Sequence, residues 1–371
     1  MSATISARIL GLTVDIDPGV GVAGRVIRDE LSVYPPASGP ADLHVRVVPQ
    51  VEGSPLAANP STHVEYDDGF AVLYGMATVR YRFEGERCTA ADVAVHTPAS
   101  RMWGRLQKWA DMQFASREER AGMILHELAL VPAAALTPGL APLHASALGA
   151  PEAGVTLFGG TGGVGKTSLE LELGVHGPYA FVADDVALLD TRGQVYPNLA
   201  YPKVYGYNLE AAPSVQAAVL GGRSLADRLH WRLHAARGLS HVRRRIPPGA
   251  LYDAVRHDPQ PAERYILLFR ETVDHLAIEE LPLDQAVATS VDVLRTELGT
   301  LLHHLRFHQY NRRLLGREPI VSPEAVADGW HETLTQALAG VPCQIARIPV
   351  GMNHEAFKRA MRESLLQTAS G

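Results

Sequence analysis

The stretch VTLFGGTGGVGKTS, residues 155–168, determines how this sequence is interpreted. Its first four residues have the composition of a short apolar strand, and LELEL at 169–173 has the composition of a helix. Between them, residues 160–167 match the Walker A pattern G-x-x-x-x-G-K-[ST]. Because a strand precedes the pattern and a helix follows it, we predict a P-loop that binds the phosphates of a nucleotide.

Each residue type in this loop has a physical task. Glycines let the backbone turn several N–H groups toward one anion, and the following helix directs its positive dipole end at the same point. Lys166 supplies charge to the β- and γ-phosphates, and the Thr167 hydroxyl can ligate Mg²⁺. We therefore expect ATP and Mg²⁺ as cofactors, and the predicted binding residues are Gly160, Thr161, Gly162, Gly163, Val164, Gly165, Lys166, Thr167 and Ser168.

Two adjacent carboxylates, Asp184 and Asp185, interrupt the apolar run 181–189. They follow Lys166 by little more than one helix and a turn, which is a short crossover for a protein with a P-loop. Neighbouring side chains on a strand point to opposite faces, so the two acids should have different tasks. A buried carboxylate needs a partner or a metal, and one of the pair can hold Mg²⁺ while the other accepts the proton of an attacking hydroxyl.

These features together resemble the HPr kinase/phosphorylase and phosphoenolpyruvate carboxykinase group. The short crossover to an Asp-Asp strand is one shared feature. The stretch LHASAL at 143–148 resembles the strand that precedes the P-loop in HPr kinases and carries an active-site histidine, here His144. The Pro-rich segment 197–207 resembles the segment after the Asp-Asp strand, so the likeness covers roughly residues 116–210.

The resemblance implies an ATP-dependent phosphotransferase with an alcohol group as acceptor. Asp184 would be the acid–base residue facing the acceptor hydroxyl, and His144 and Lys166 would complete the catalytic set. Thr167 and Asp185 would be the metal ligands.

The likeness stops short of a true HPr kinase. The stretch E-V-R-G-L-G with its metal-binding glutamate is missing from the sequence, and the nearest acid is Glu210. We therefore do not expect HPr as the substrate. Peptide-serine kinases and free-serine kinases have a similar core, so the expected acceptor is a small molecule or a peptide serine. A nucleotide-binding regulatory or scaffold protein without turnover, a carboxykinase-like lyase and the reverse phosphorolysis remain alternatives.

An arginine-rich segment lies between residues 223 and 245, where seven arginines face a single acid, Asp227. Its last three arginines, Arg243, Arg244 and Arg245, immediately precede IPPG, which predicts a loop. Guanidinium groups suit the charge on a transferring phosphoryl group, so we predict a clamp for the phosphates or for an anionic substrate. A solvated basic helix face followed by a loop is the alternative.

The residues before the P-loop region predict a smaller β-rich domain, mostly antiparallel. Apolar and polar residues alternate at 43–47 and 79–83, and Asp68-Gly69 is a hairpin signal. A helix should begin at Ser116, which with Glu119 has the spacing of a capping box. The predicted fold is α/β, with a β-rich N-terminal domain at 1–115 and a P-loop kinase domain of the HPr kinase type at 116–371.

The C-terminal third predicts strands at 265–270 and 345–350 and helices at 291–305 and 354–364. On the first of these helices, His304 and His308 are four residues apart. They could chelate a metal or belong to an ordinary polar helix surface.

The composition limits partners and compartment. The chain has 371 residues, a formal net charge of −6 and a pI of about 6.2, which argues against nucleic acid as a partner. A membrane span would need about 18 consecutive apolar residues, and the sequence has no such run. The two cysteines, Cys88 and Cys343, are far apart, so we expect reduced thiols in a cytoplasmic protein. The oligomeric state is left open, a homo-oligomer included.

Overall fold

The computed structural model describes residues 3–150, 153–175, 177–210 and 212–368, and they form a mixed α/β structure with two large sheets. Eight strands form the N-terminal sheet: β1 (Ile5–Ile9), β2 (Leu12–Asp17), β3 (Leu43–Val47), β4 (Ala57–Asn59), β5 (His63–Tyr66), β6 (Gly69–Tyr74), β7 (Ala77–Glu84) and β8 (Arg87–Val95). Their order is β1-β2-β3-β8-β7-β6-β5-β4. The strands predicted at 43–47 and 79–83 are confirmed.

The N-terminal sheet is mostly antiparallel, as predicted, and β3 is the exception, because it runs parallel to both of its neighbours. The hairpin between β5 and β6 forms as predicted, but Tyr66 pairs with Gly69, which makes Asp67 and Asp68 the central turn residues. A Cβ atom at Gly69 would lie 2.1 Å from the carbonyl oxygen of Tyr81, so this position needs glycine.

The glycine-rich loop follows a strand of the second sheet. Its strands are β9 (Leu140–Leu143), β10 (Ala145–Gly149), β11 (Val155–Gly159), β12 (Ala180–Ala183), β13 (Ala187–Asp190), β14 (Gln194–Tyr196), then, after a small β15 (Lys203–Tyr205) and β16 (Arg243–Arg245) pair, β17 (Gln260–Glu271), β18 (Ala277–Glu280) and β19 (Cys343–Pro349). The order is β12-β10-β11-β17-β14-β13-β9, with β19 on β17 and β18 on β19. β11 and β17 are parallel neighbours, which places the loop after β11 at the carboxyl edge of both strands.

The α-helices of the described residues are α1 (Gly21–Leu31), α2 (Arg101–Ala110), α3 (Ala121–Leu125), α4 (Val131–Ala135), α5 (Lys166–Val175), α6 (Pro213–Leu220), α7 (Leu225–Ala235), α8 (Pro248–Leu251), α9 (Leu283–Glu297), α10 (Gly299–Leu314), α11 (Pro323–Ala337) and α12 (His354–Thr368). None of them is long and apolar enough to cross a membrane. The sequence prediction missed α1 and α2 and joined α9 to α10. The chain breaks there at Leu298, just before Gly299, although Val291, Leu294 and Leu301 are buried as expected.

The helical segment that begins at Ser116 is irregular. The capping box is confirmed, because the Glu119 backbone N–H donates to the Ser116 hydroxyl at 3.2 Å and the Ser116 N–H donates to the Glu119 carboxylate at 2.6 Å. A 3₁₀ turn, α3, a π-helical turn at His126–Leu130 and α4 then follow one another without interruption. Such π turns occur frequently at functional sites.

One apolar core crosses the predicted boundary at residue 115. Buried side chains of the N-terminal sheet, of α3 and α4 and of the second sheet belong to the same packed cluster, which includes Phe70, Leu130 and Leu157. Cys88 and Cys343 are free thiols and both are buried.

Candidate functional site

The glycine-rich loop joins β11 to α5 and has a backbone that only glycine adopts easily. Gly160, Gly163 and Gly165 have φ values of +135°, +80° and +116°. A Cβ atom at Gly160 would lie 2.7 Å from the Leu268 carbonyl oxygen, and one at Gly165 would lie 2.7 Å from the Phe357 ring. The loop is therefore held between β17 and α12 in one conformation, with α5 beginning at its far end.

Lys166 is buried under the loop, with an exposed fraction of 6%. Its ammonium group donates to the carbonyl oxygens of Gly160 and Thr161 and contacts Nε2 of His144, each at 2.9 Å. Burial lowers the pKa of Lys166, and the carboxylates of Asp185, Asp184 and Glu297 oppose that shift. The positive charge of the Lys166 ammonium group thus lies directly against the backbone of the glycine-rich loop.

The two aspartates lie in a bend between β12 and β13, not within one strand as predicted. The Thr167 hydroxyl donates to Oδ1 of Asp184 at 3.0 Å, and the Ser146 hydroxyl donates to the same oxygen at 3.3 Å. Burial and the charge of Asp185 raise the pKa of Asp184, and hydrogen bonds from Glu170 and Thr167 act against the rise. A hydroxyl and a carboxylate oxygen at this distance are the hard oxygen donors that Mg²⁺ requires.

Asp185 has a different environment. Its side chain is 53% exposed, its Oδ1 lies 3.5 Å from Nδ1 of His144 and its Oδ2 lies 3.7 Å from Nζ of Lys203. Confinement in the cleft works against ionisation, but the charge of Lys203, the neighbouring His144 and the charge of Lys166 outweigh it and lower the pKa of Asp185. The residue has φ +70°, a left-handed conformation that is uncommon outside glycine and that concentrates at functional positions.

His144 joins the loop to the aspartates. The residue is 6% exposed, and burial, followed by the charge of Lys166, lowers its pKa, while Asp185 and Glu297 oppose the shift. A neutral ring that accepts from Lys166 at Nε2 carries its proton on Nδ1, the nitrogen that faces Asp185. His144 can thereby hold the Asp185 carboxylate in place.

The structure corrects the predicted arginine clamp for two of its three residues. Residues 243–245 form β16 instead of a loop, because they pair with β15. Arg244 is 1% exposed and binds Asp227 at 2.6 Å, and Arg245 binds the Glu30 carboxylate through two hydrogen bonds of 2.7 and 2.9 Å. These two guanidinium groups are occupied by buried acids and are not available as a clamp.

Arg243 is the member of the triplet that lines the cleft beside the glycine-rich loop. Its guanidinium donates to the Tyr205 hydroxyl at 2.9 Å. The cleft has a volume of about 670 Å³ and also contains Glu210 in its wall. Ser168, predicted to bind nucleotide, donates or accepts at 2.5 Å with Nε2 of His354 and accepts from the Asn208 amide at 2.9 Å.

Several residues of the cleft were missed by the sequence interpretation. Lys203 lies in the predicted Pro-rich segment and reaches both Glu127 (2.7 Å) and Asp185. Glu297, at the end of α9, lies 3.6 Å from Nε2 of His144. Lysine and glutamate are ordinary residues for the surface of a helix or strand, so the sequence did not mark Lys203 and Glu297 as functional. Only the fold brings them close to the loop.

The structure fits neither alternative for the histidine pair on α10, a metal chelate or an ordinary polar helix surface. His304 is 6% exposed and His308 is completely buried. Nδ1 of His308 lies 2.9 Å from the Glu65 carboxylate, and Nε2 of His308 accepts from the Ile320 N–H at 3.1 Å. Within the described ranges, no group of three or more His, Cys, Asp or Glu side chains is arranged to hold a metal.

The site thus combines a glycine-rich loop, a buried lysine, a threonine–aspartate pair and a second, ionised aspartate next to a histidine. Four elements of the chain supply these groups: the bend between β9 and β10, the loop before α5, α5 itself and the bend after β12. No model of a known protein family matches this chain, and no curated protein sequence does.

Proposed function

We propose that this chain is an ATP-dependent kinase that transfers the γ-phosphoryl group of ATP to a hydroxyl of a small molecule or a peptide serine. The observation that carries the proposal is the junction of the glycine-rich loop with two carboxylates in different environments. Asp184 contacts Thr167, while Asp185 is ionised and open to the cleft. A protein that only bound nucleotide would have little use for the second carboxylate.

The chain's own groups fit the proposed cofactors. Backbone N–H groups of the loop at 160–168 and the Lys166 ammonium would hold the phosphates. Thr167 and Asp184 would hold Mg²⁺, which neutralises charge on the phosphates when bound. The 3.0 Å contact between these two side chains supports this pairing, whereas the resemblance had assigned the metal to Asp185.

Asp185 would then be the group that accepts the proton of the acceptor. The acceptor oxygen forms a bond to the γ-phosphorus as the bond from phosphorus to the β,γ-bridging oxygen breaks, and ADP leaves. The hydroxyl proton passes to the Asp185 carboxylate, which His144 and Lys203 orient. The lowered pKa of Asp185 keeps its carboxylate ionised and able to accept a proton in a reaction that depends mainly on positioning.

The decisive experiment measures ATP binding and phosphoryl transfer separately. Wild type, Lys166→Ala and the control Lys108→Ala would be titrated with ATP and then incubated with γ-labelled ATP and hydroxyl acceptors. Lys108 pairs with Glu119, outside the cleft. We expect Lys166→Ala to lose binding and transfer and Lys108→Ala to keep both. ATP binding without transfer to any acceptor would favour a scaffold protein, and wild-type behaviour of Lys166→Ala would refute the nucleotide site.

A further inference from the structure

A second cavity adjoins the nucleotide cleft at Asp185. It has a volume of about 330 Å³, and five residues line both spaces: His144, Asp184, Asp185, Lys203 and Glu297. None of the loop residues 160–168 lines this cavity, so a molecule in it would face the Asp185 carboxylate without occupying the loop. The volume suits a compact ligand or a single large side chain.

The walls of this cavity are mainly apolar. Leu128 comes from the π-helical turn, Pro142 from β9, and Leu298 and Leu301 from the junction of α9 with α10. Leu128 and Leu298 are half-buried, so part of their apolar surface is open to an occupant. Apolar surface of this kind gains free energy when a ligand removes it from water.

The charged groups of the cavity are mostly acidic. Glu127 and Glu297 have side chains that are 39% and 37% exposed. Of the two cations in the wall, Arg245 is bound by both oxygens of Glu30, and Lys203 pairs with Glu127 at 2.7 Å, so the charges of Lys203 and Glu127 offset each other. Asp185 and Glu297 leave the wall with a net negative charge, so the cavity offers carboxylate to a ligand and repels a ligand that brings its own.

We infer that this cavity is the acceptor site and that it takes a hydroxyl compound with an apolar body and a neutral or amine-bearing polar end, in preference to an anionic one. This inference rests on the proposed kinase function and narrows its substrate class. The hydroxyl would point toward Asp185, and the apolar body would lie against Leu128, Leu298 and Leu301. An ammonium group would be placed near Glu127 or Glu297.

The test uses three compounds with the same benzyl body: phenylalaninol, which carries an amine, N-acetylphenylalaninol, which is neutral, and 3-phenyllactate, which carries a carboxylate. Their binding to the full chain would be measured by calorimetry with and without Mg²⁺ and ATP analogue, and their phosphorylation with γ-labelled ATP. We expect affinity to fall in that order, by about tenfold or more between the amine and the acid.

Two variants localise the binding. Leu128→Trp should fill the cavity and lower its affinity for all three compounds by about tenfold or more, while the affinity for nucleotide stays unchanged. Leu314→Trp is the control, because Leu314 is 71% exposed on α10 and lies outside the lining of the cavity. Glu127→Gln should reduce the ratio of amine to acid affinity, since it removes one carboxylate and releases Lys203.

The outcomes separate this inference from the proposed function. Tighter binding of 3-phenyllactate than of phenylalaninol, absence of binding by all three, or binding that Leu128→Trp leaves unchanged would each overturn the acceptor site, whatever the nucleotide does. If the wild type did not bind nucleotide, the proposed kinase function would be refuted. The calorimetry without nucleotide would still show whether the three compounds bind in the cavity.

Discussion

Two of the clusters that combine histidine with a carboxylate differ in their access to solvent. In the cleft, His144 faces an Asp185 side chain that is 53% exposed. Between the N-terminal sheet and α10, Glu65 lies between His63 and His308, and all three are completely buried. The same residue types thus form an open site that a ligand can reach and a closed junction that solvent does not reach. The difference predicts that the first cluster affects turnover and the second affects stability.

The largest expected effect is on catalysis by Asp185→Asn. Losing the proton acceptor should lower kcat by about 10²–10⁴-fold while ATP affinity and folding persist. Asp184→Asn should instead raise the Mg²⁺ concentration needed for turnover, because Asp184 contacts Thr167. Single-turnover transfer at several Mg²⁺ concentrations measures both. Normal turnover in Asp185→Asn with an inactive Asp184→Asn would restore the roles implied by the family resemblance.

The closed cluster should show the opposite response. His308→Ala leaves the buried Glu65 without one of its two histidine partners, so the free energy of unfolding should fall by about 3–5 kcal/mol. Nucleotide affinity of the folded variant should not change. The matched control is His303→Ala on the same helix, where the side chain is exposed and the expected change is within about 0.5 kcal/mol. Denaturant unfolding combined with nucleotide titration tests the contrast, and an equal loss in both variants would contradict it.

Within the glycine-rich loop, two glycines should respond differently to alanine. At Gly165, φ is +116° and a Cβ would meet the buried Phe357 ring, so Gly165→Ala should cost about 1–3 kcal/mol of stability. At Gly162, the nearest atom to an added Cβ is a Glu297 oxygen at 3.8 Å, an ordinary contact. Thermal unfolding without nucleotide should therefore separate the two variants, and similar midpoints would mean that the loop does not need this conformation.

The last expected effect is a pH dependence at His304, whose ring stacks on that of His63 in the closed cluster. Burial lowers the pKa of His304 to about 4, and the neighbouring His63 and His303 add to the shift. Because the unfolded chain binds a proton at His304 near pH 6.5 and the folded chain does not, stability should decrease as pH falls from about 6.5 to about 4. Denaturant midpoints across this range measure the slope. His304→Gln should flatten it relative to His303→Gln, and equal slopes would exclude His304 as the cause.

The sequence predicted best where a local pattern fixes the structure. The strand before the glycine-rich loop, the helix after it and the capping box at Ser116 are indicated by residues that are close together in the sequence. Prediction failed where partners are distant in the chain. Arg244 and Arg245 looked like free cations, but Asp227 and Glu30 neutralise them, and a local excess of arginine contains no information about Glu30.

The residues that surround Asp185 in the second cavity were harder still to predict from the sequence. Lys203, Glu127 and Glu297 meet around Asp185 only because the π-helical turn, β15 and the end of α9 converge there. The individual stretches around these residues have no unusual composition. Likewise, the apolar residues of a helix indicated that Leu301 would be buried but not that Leu298 would end one helix and open a cavity.

Two buried contacts join residues that are far apart in the sequence, and this separation has a consequence for how the chain folds as it is synthesised. The Glu30–Arg245 and Glu65–His308 contacts span 215 and 243 residues. The N-terminal sheet and α1 leave the ribosome before α10, yet Glu65 of the sheet and Glu30 of α1 have to wait for partners that are made much later. An isolated charge of this kind is costly to bury. We therefore expect the sheet to stay loosely packed during synthesis and to consolidate in one late step, after α10 has emerged, with the slow rate typical of contacts between distant residues.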